Sequence, residues 1–178
     1  MDREVIHIIW DGPYNFIEYR NFNNKEIDFG LYQIYGPHPV YGANVLLFIG
    51  KTTDEEMPFA LTFGDAISTE IWGDNIDHKL LNFYLGRICG ETTPNDSEWL
   101  RQISLAEMLL VEAHATALNK EPVVLFANEY CKNIHVLNWG SYNQLLPEIS
   151  GLRWAAGTGV DSRSNPPIYK RRKKRIKV

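Results

Sequence analysis

The sequence predicts an α+β fold, a small central antiparallel sheet flanked by helices. Two strand-like runs, residues 29–36 and 44–50, lie close enough in the chain to pair as a hairpin. A long amphipathic run at about 97–118 supplies a helix to cover them. A third strand-like run, 79–88, precedes that helix.

The elements follow in order. Val5 to Trp10 reads as a short strand, and Asp11-Gly12-Pro13 is expected to break it. Residues 29–36, Phe-Gly-Leu-Tyr-Gln-Ile-Tyr-Gly, alternate, and Gly36-Pro37-His38-Pro39 should end that strand because proline cannot donate to a ladder. Asn44 to Gly50 holds the unbroken apolar run Val45-Leu46-Leu47-Phe48-Ile49, a pattern suited to a central strand buried on both faces. Thr62 can N-cap a helix from about Phe63 to Trp72, and Gly73-Asp74-Asn75 should stop it. Lys79 to Ile88 is the third strand. In the run from Ser97 to Leu118, residues Trp99, Ile103, Ala106, Leu110, Ala113 and Ala117 recur at helical spacing and form a core stripe. Val123 to Phe126 and Ile134 to Leu137 are further extended segments, and residues 139–160 are rich in turn formers.

Composition narrows the class. A length of 178 residues suits one domain, or one domain and a tail, and 44% hydrophobic residues suffice for a core. No apolar run approaches the ~18–20 residues that span a bilayer. Met1-Asp2-Arg3-Glu4 does not open a signal peptide, and Cys89 and Cys131 form neither a disulfide framework nor a zinc cluster, so reduced thiols in a cytoplasmic protein are expected. The net charge of −4 conceals an asymmetry: Lys170, Arg171, Arg172, Lys173, Lys174, Arg175 and Lys177 lie in the last nine residues, and without them the charge is −11. An acidic body repels a polyanion, so nucleic-acid contact would be local to this tail, where phosphate contacts release counterions. A solvated tail or a targeting signal is the plainer reading of the same run.

Gly30-Leu31-Tyr32 on the first hairpin strand and Phe48-Ile49-Gly50 on the second, followed by Lys51, resemble the paired motifs of GIY-YIG nucleases. The likeness extends over roughly residues 29–119. It includes Glu107 on the long helix and Asn119 near its end, the places where the family has a glutamate and, in many members, an asparagine. The resemblance implies residues 1–28 as an extension packed on the core, 29–160 as the nuclease-like domain with C-terminal additions, and 161–178 as a basic tail. It implies a DNA endonuclease, of a restriction or phage-defence kind, using Mg²⁺ or Mn²⁺ on double-stranded DNA; a homodimer would match a palindromic site.

In that reading Glu107 is the metal ligand, since a hard cation on a carboxylate offsets charge growing on the phosphate. Tyr32 orients or deprotonates the attacking water, and a phenol needs a nearby cation to do the latter at neutral pH. Lys51 is that cation or a phosphate contact, and Asn119 orients the glutamate or a water. The plainer readings are a packed strand tyrosine and a solvated helix glutamate. His114, on the Glu107 face of the helix, reads as structural; His38 and Tyr41 in the hairpin loop and Arg87 at the end of the third strand are weaker candidates. Three positions depart from the pattern. The second motif has Phe48 for tyrosine, the expected arginine position falls on Ala66, and the expected histidine position falls on Glu70, with no Lys or Arg from Thr52 to His78. These departures leave open a catalytically inactive DNA-binding or interaction module on the same fold.

Overall fold

The computed structural model describes residues 3–52, 58–63, 77–119 and 130–154. Its strands are β1 (Glu4–Asn15), β2 (Leu31–His38), β3 (Gly42–Lys51), β4 (Asn82–Cys89), β5 (Ile134–Gly140) and β6 (Glu148–Ser150). They form one six-stranded sheet in the order β3-β2-β4-β1-β5-β6. Every neighbouring pair is antiparallel except β1 and β5, which are parallel. The helices are α1 (residues 59–63), α2 (Asp96–His114) and α3 (Gly151–Trp154). The α+β class stands, but the sheet is mixed and not purely antiparallel. Val123 to Phe126, most of the helix expected at 63–72, and the tail lie outside the described residues.

Four local expectations are corrected. First, β1 does not stop at Asp11. It runs to Asn15, with a register shift between Asp11 and Tyr14 that absorbs Gly12-Pro13. Its alternation buries Ile6, Ile8 and Trp10, and residues expected to pack on the core as an extension supply an interior strand. Second, β2 continues through Pro37 to His38 because the pairing shifts register between Gly36 and His38. Third, residues 78–80 form a 3-10 turn ahead of β4. Fourth, Thr62 lies inside α1, one residue before the expected helix start, and donates its hydroxyl to the Pro58 carbonyl at 3.3 Å.

Helix α2 begins at Asn95, whose side chain accepts from Glu98 N at 3.0 Å, with Asp96 and Glu98 in the first turn. It ends at His114, earlier than the expected Leu118, where Ala115 adopts the left-handed conformation (φ 45°). His114 Nδ1 donates to Leu110 O at 2.7 Å and Nε2 accepts from Leu146 N at 2.8 Å, so both ring nitrogens are committed to holding the helix end. Burial lowers the His114 pKa, in keeping with this neutral tautomer. Along the expected stripe, Ile103, Ala106 and Leu110 are fully buried in a core cluster shared with residues of β1, β2, β3, β5 and β6. A second core of Tyr19, Tyr32, Leu47, Phe59, Phe63 and Phe83 involves β2, β3 and β4.

β3 is an edge strand, not a central one. Its apolar run is nonetheless justified, because Leu46 and Ile49 enter one core and Leu47 the other. Its free edge is covered by the chain that leaves α2: Ala117 N and Leu118 N donate to Leu46 O and Leu47 O at 3.5 and 2.9 Å. Asn119 completes the cover, accepting from Ile49 N at 3.1 Å and donating to Ile49 O at 3.0 Å. Exposed sheet edges invite foreign strands, and this device closes one. Replacing Asn119 with Ala should cost about 1–3 kcal/mol, since it strands a partly buried N–H and C=O. Urea denaturation measures it, and a loss under about 0.5 kcal/mol would show that water replaces the amide without penalty.

Candidate functional site

The open end of the β2–β3 hairpin is where the motif residues gather. Gly30 and Thr52 close it: Thr52 N donates to Gly30 O at 2.9 Å and Gly30 N to Thr52 Oγ1 at 3.1 Å. Gly30 has φ +149°, and a Cβ there would collide with the Gly86 carbonyl of β4. Gly50 is needed for space. Tyr32 pairs with it across the strands, and a Cβ on Gly50 would stand 2.5 Å from both the Cζ and the hydroxyl of Tyr32 and 2.6 Å from Phe48. The tyrosine ring therefore lies flat over a glycine, held edge-on to Phe63 at 4.7 Å and tilted to Phe48 at 6.0 Å.

Tyr32 is only 3% exposed. Burial, and then the negative charge of Glu107, raise its pKa far above the ordinary phenol value. The phenol is thus held protonated. It suits orienting a water by a hydrogen bond and is poorly suited to removing a proton. Phe48 fills the second-motif position with a ring and no hydroxyl.

Lys51 and Glu107 meet. The lysine leaves the last position of β3, and the glutamate comes from the middle of α2; Nζ and Oε2 are 2.8 Å apart. Lys51 Nζ also donates to Ser104 Oγ at 3.2 Å. Ser104, three residues before Glu107 and so on the same helix face, was not anticipated; its spacing from Glu107 was the available signal. Burial pushes the Glu107 carboxyl above its ordinary range, and Lys51 offsets that only in part. Its side chain keeps 22% of its surface exposed, and no hydrogen bond engages Oε1 among the described residues. One partly exposed carboxylate with an open oxygen fits Mg²⁺, which keeps most of its water shell. Among the described residues no three His, Cys, Asp or Glu side chains converge into a fuller cage.

The remaining candidates are accounted for differently. Asn119 lies beyond the end of α2, with its amide bound to Ile49 and approached by the Thr116 hydroxyl, so it holds the strand edge and does not face Glu107 as an orienting group. Arg87 is spent: Nε donates to Ile27 O at 2.9 Å, and the two terminal nitrogens pair with Asp11 and Asp28 at 2.9 and 2.8 Å. It cannot stand in for the missing arginine without breaking that network. His38 stacks on Tyr41 at the hairpin's closed tip, and its Nδ1 accepts from Val40 N and Tyr41 N. That tip is seven residues along β2 from Leu31, roughly 23 Å at strand rise, so it is not part of this cluster. Ala66, Glu70 and the basic residues 170–177 lie outside the described residues. Gln33 was also not anticipated. It is fully buried on β2, accepts from Tyr35 Oη at 2.8 Å, and its Nε2 has no partner among the described residues.

Comparison with family models, with curated proteins and with solved structures finds no match. Among the described residues no helix is long and apolar enough to cross a membrane. Cys89 and Cys131 are free thiols.

The raised Glu107 pKa has a defined sign for stability. Between the ordinary glutamate value of ~4.3 and the folded value, the folded state keeps a proton that the unfolded state has released. Stability therefore falls as pH rises through that window. Glu107→Gln removes this contribution, so urea denaturation from pH 4 to pH 7 should show the variant gaining on the wild type as pH rises. A constant difference across that range would contradict the assignment.

Proposed function

We propose that the chain is a metal-dependent endonuclease of the GIY-YIG kind, acting on phosphodiester bonds of double-stranded DNA. The observation that supports it best is the 2.8 Å contact of Lys51 with Glu107, at the hairpin end that also holds Tyr32, Phe48 and Gly50. The resemblance named those residues from two separate stretches of chain, and a chance pair of triplets gives no reason for the helix glutamate to meet the lysine after the second one.

In this reading Glu107 holds a divalent cation, Mg²⁺ or Mn²⁺, which when bound supplies Lewis-acid stabilisation of charge on the phosphate. Tyr32 orients the attacking water from its buried, protonated state. Lys51 offers an ammonium to a phosphate oxygen. The basic tail adds phosphate contacts. A restriction or defence role and a two-fold dimer belong to the same proposal.

A second reading, a non-catalytic DNA-binding module, is favoured by one specific set of facts. Ala66 stands where arginine is expected, and Arg87 is already committed to Asp11 and Asp28. Plasmid cleavage with Mg²⁺ or Mn²⁺ separates the two. Ala66→Arg should raise the rate on the order of 10²–10³, the usual worth of one transition-state cation contact, and Glu107→Ala should abolish it. Retained binding with no cleavage in either the parent or Ala66→Arg would establish the second reading.

Deleting residues 168–178 should weaken DNA binding by about tenfold or more at moderate salt and flatten its salt dependence. Unchanged binding in a fluorescence-anisotropy titration would remove the tail from the proposal.

A further inference from the structure

The Lys51–Glu107 contact is more than a surface ion pair. Both side chains are mostly shielded, at 28% and 22% exposed, and the ammonium touches one carboxylate oxygen and the Ser104 hydroxyl together. A carboxylate held this way already has its counter-charge. A dication arriving at Oε1 would stand within a few ångströms of that ammonium, and like charges at that distance in a partly desolvated site repel strongly. The lysine, unlike a backbone donor, has a flexible four-carbon stem and can leave. Ser104 gives it a neutral partner one helical turn from Glu107, so the ammonium can shift from the carboxylate without losing every hydrogen bond.

We propose that Lys51 is an internal cation that occupies Glu107 until a divalent metal displaces it, so that metal binding and the release of a free ammonium toward a bound anion are one coupled event. The inference rests on the reading of Glu107 as the metal ligand. It assigns Lys51 a positioning role: without metal it neutralises the carboxylate, and with metal it becomes available to a phosphate oxygen. By linkage the coupling is reciprocal, so whatever draws Lys51 away tightens metal binding.

The test needs no cleavage. Binding of Mn²⁺ alone is measured by electron paramagnetic resonance at one fixed pH of about 8 for every variant. Lys51→Met should bind Mn²⁺ about tenfold more tightly than wild type, within the range usual for coupled sites. Lys51→Arg, whose fork can hold both carboxylate oxygens, should bind it more weakly than wild type. Glu107→Gln should not bind. In wild-type protein carrying ¹³C-lysine, the Lys51 Cε resonance should move with Mg²⁺ on the same binding curve, a readout that does not depend on any variant folding. Equal Mn²⁺ affinity in wild type and Lys51→Met, or an unmoved Cε resonance while metal binds, would overturn the inference and leave the metal site intact. Absence of Mn²⁺ binding in wild type and Lys51→Met alike would overturn the metal reading itself, and this inference with it.

Discussion

The free edge of β3 is the constraint on which the site depends. An outer strand with a run of buried apolar side chains leaves backbone groups that something must satisfy. The chain solves this by reversing at Ala115 and laying residues 117–119 along the strand, ending in the Asn119 amide on Ile49. His114 fixes the same helix end to Leu146 from the other side. The C-terminal end of α2 is held at two places, and Glu107 falls seven residues back, about 10 Å along the axis. That is where Lys51 emerges from β3. The position of the carboxylate thus follows from how a sheet edge is closed.

Tyr32 shows the opposite balance, chemistry yielding to packing. Its ring is clamped by Phe63, Phe48 and the bare backbone of Gly50, and the neighbouring carboxylate adds to the burial that keeps the hydroxyl protonated. The two glycines of the motif have complete explanations without any reaction: one must avoid the Gly86 carbonyl, the other must make room for a ring. A sequence can retain such triplets for geometry alone. What geometry alone does not require is a partly buried glutamate facing a lysine, an arrangement that costs desolvation of both ions.

Much of the hairpin was legible because local rules decide it. Alternation from Leu31, the apolar run to Ile49 and the helical stripe from Ile103 to Leu110 each reflect burial on a face, which periodicity records directly. The errors share a cause. Asp11-Gly12-Pro13 reads as a break, yet β1 is held by β4 and β5 on either side, and pairing overrides a local breaker by shifting register. The run at 45–49 reads as a central strand because burial on two faces looks the same whether the sheet continues or a returning chain covers the edge. Asn119 reads as a helix residue because nothing local announces the left-handed turn at Ala115. Within the candidate site, Glu107 and Lys51 were legible only through the family pattern; Ser104 left only its three-residue spacing from Glu107 as a signal, because its partner Lys51 comes from a distant strand.

Electrostatics bears on the proposed site. Among the residues named for catalysis, Asn119 is committed to Ile49 and Tyr32 is locked protonated, while Arg87 is held by two aspartates. The cationic work of a phosphoryl site would then fall to Lys51, which already serves Glu107. One ammonium cannot neutralise the carboxylate and contact a phosphate at full strength together. In the proposed reading a second positive charge releases the first, and the open oxygen of Glu107 is where a divalent cation would supply it.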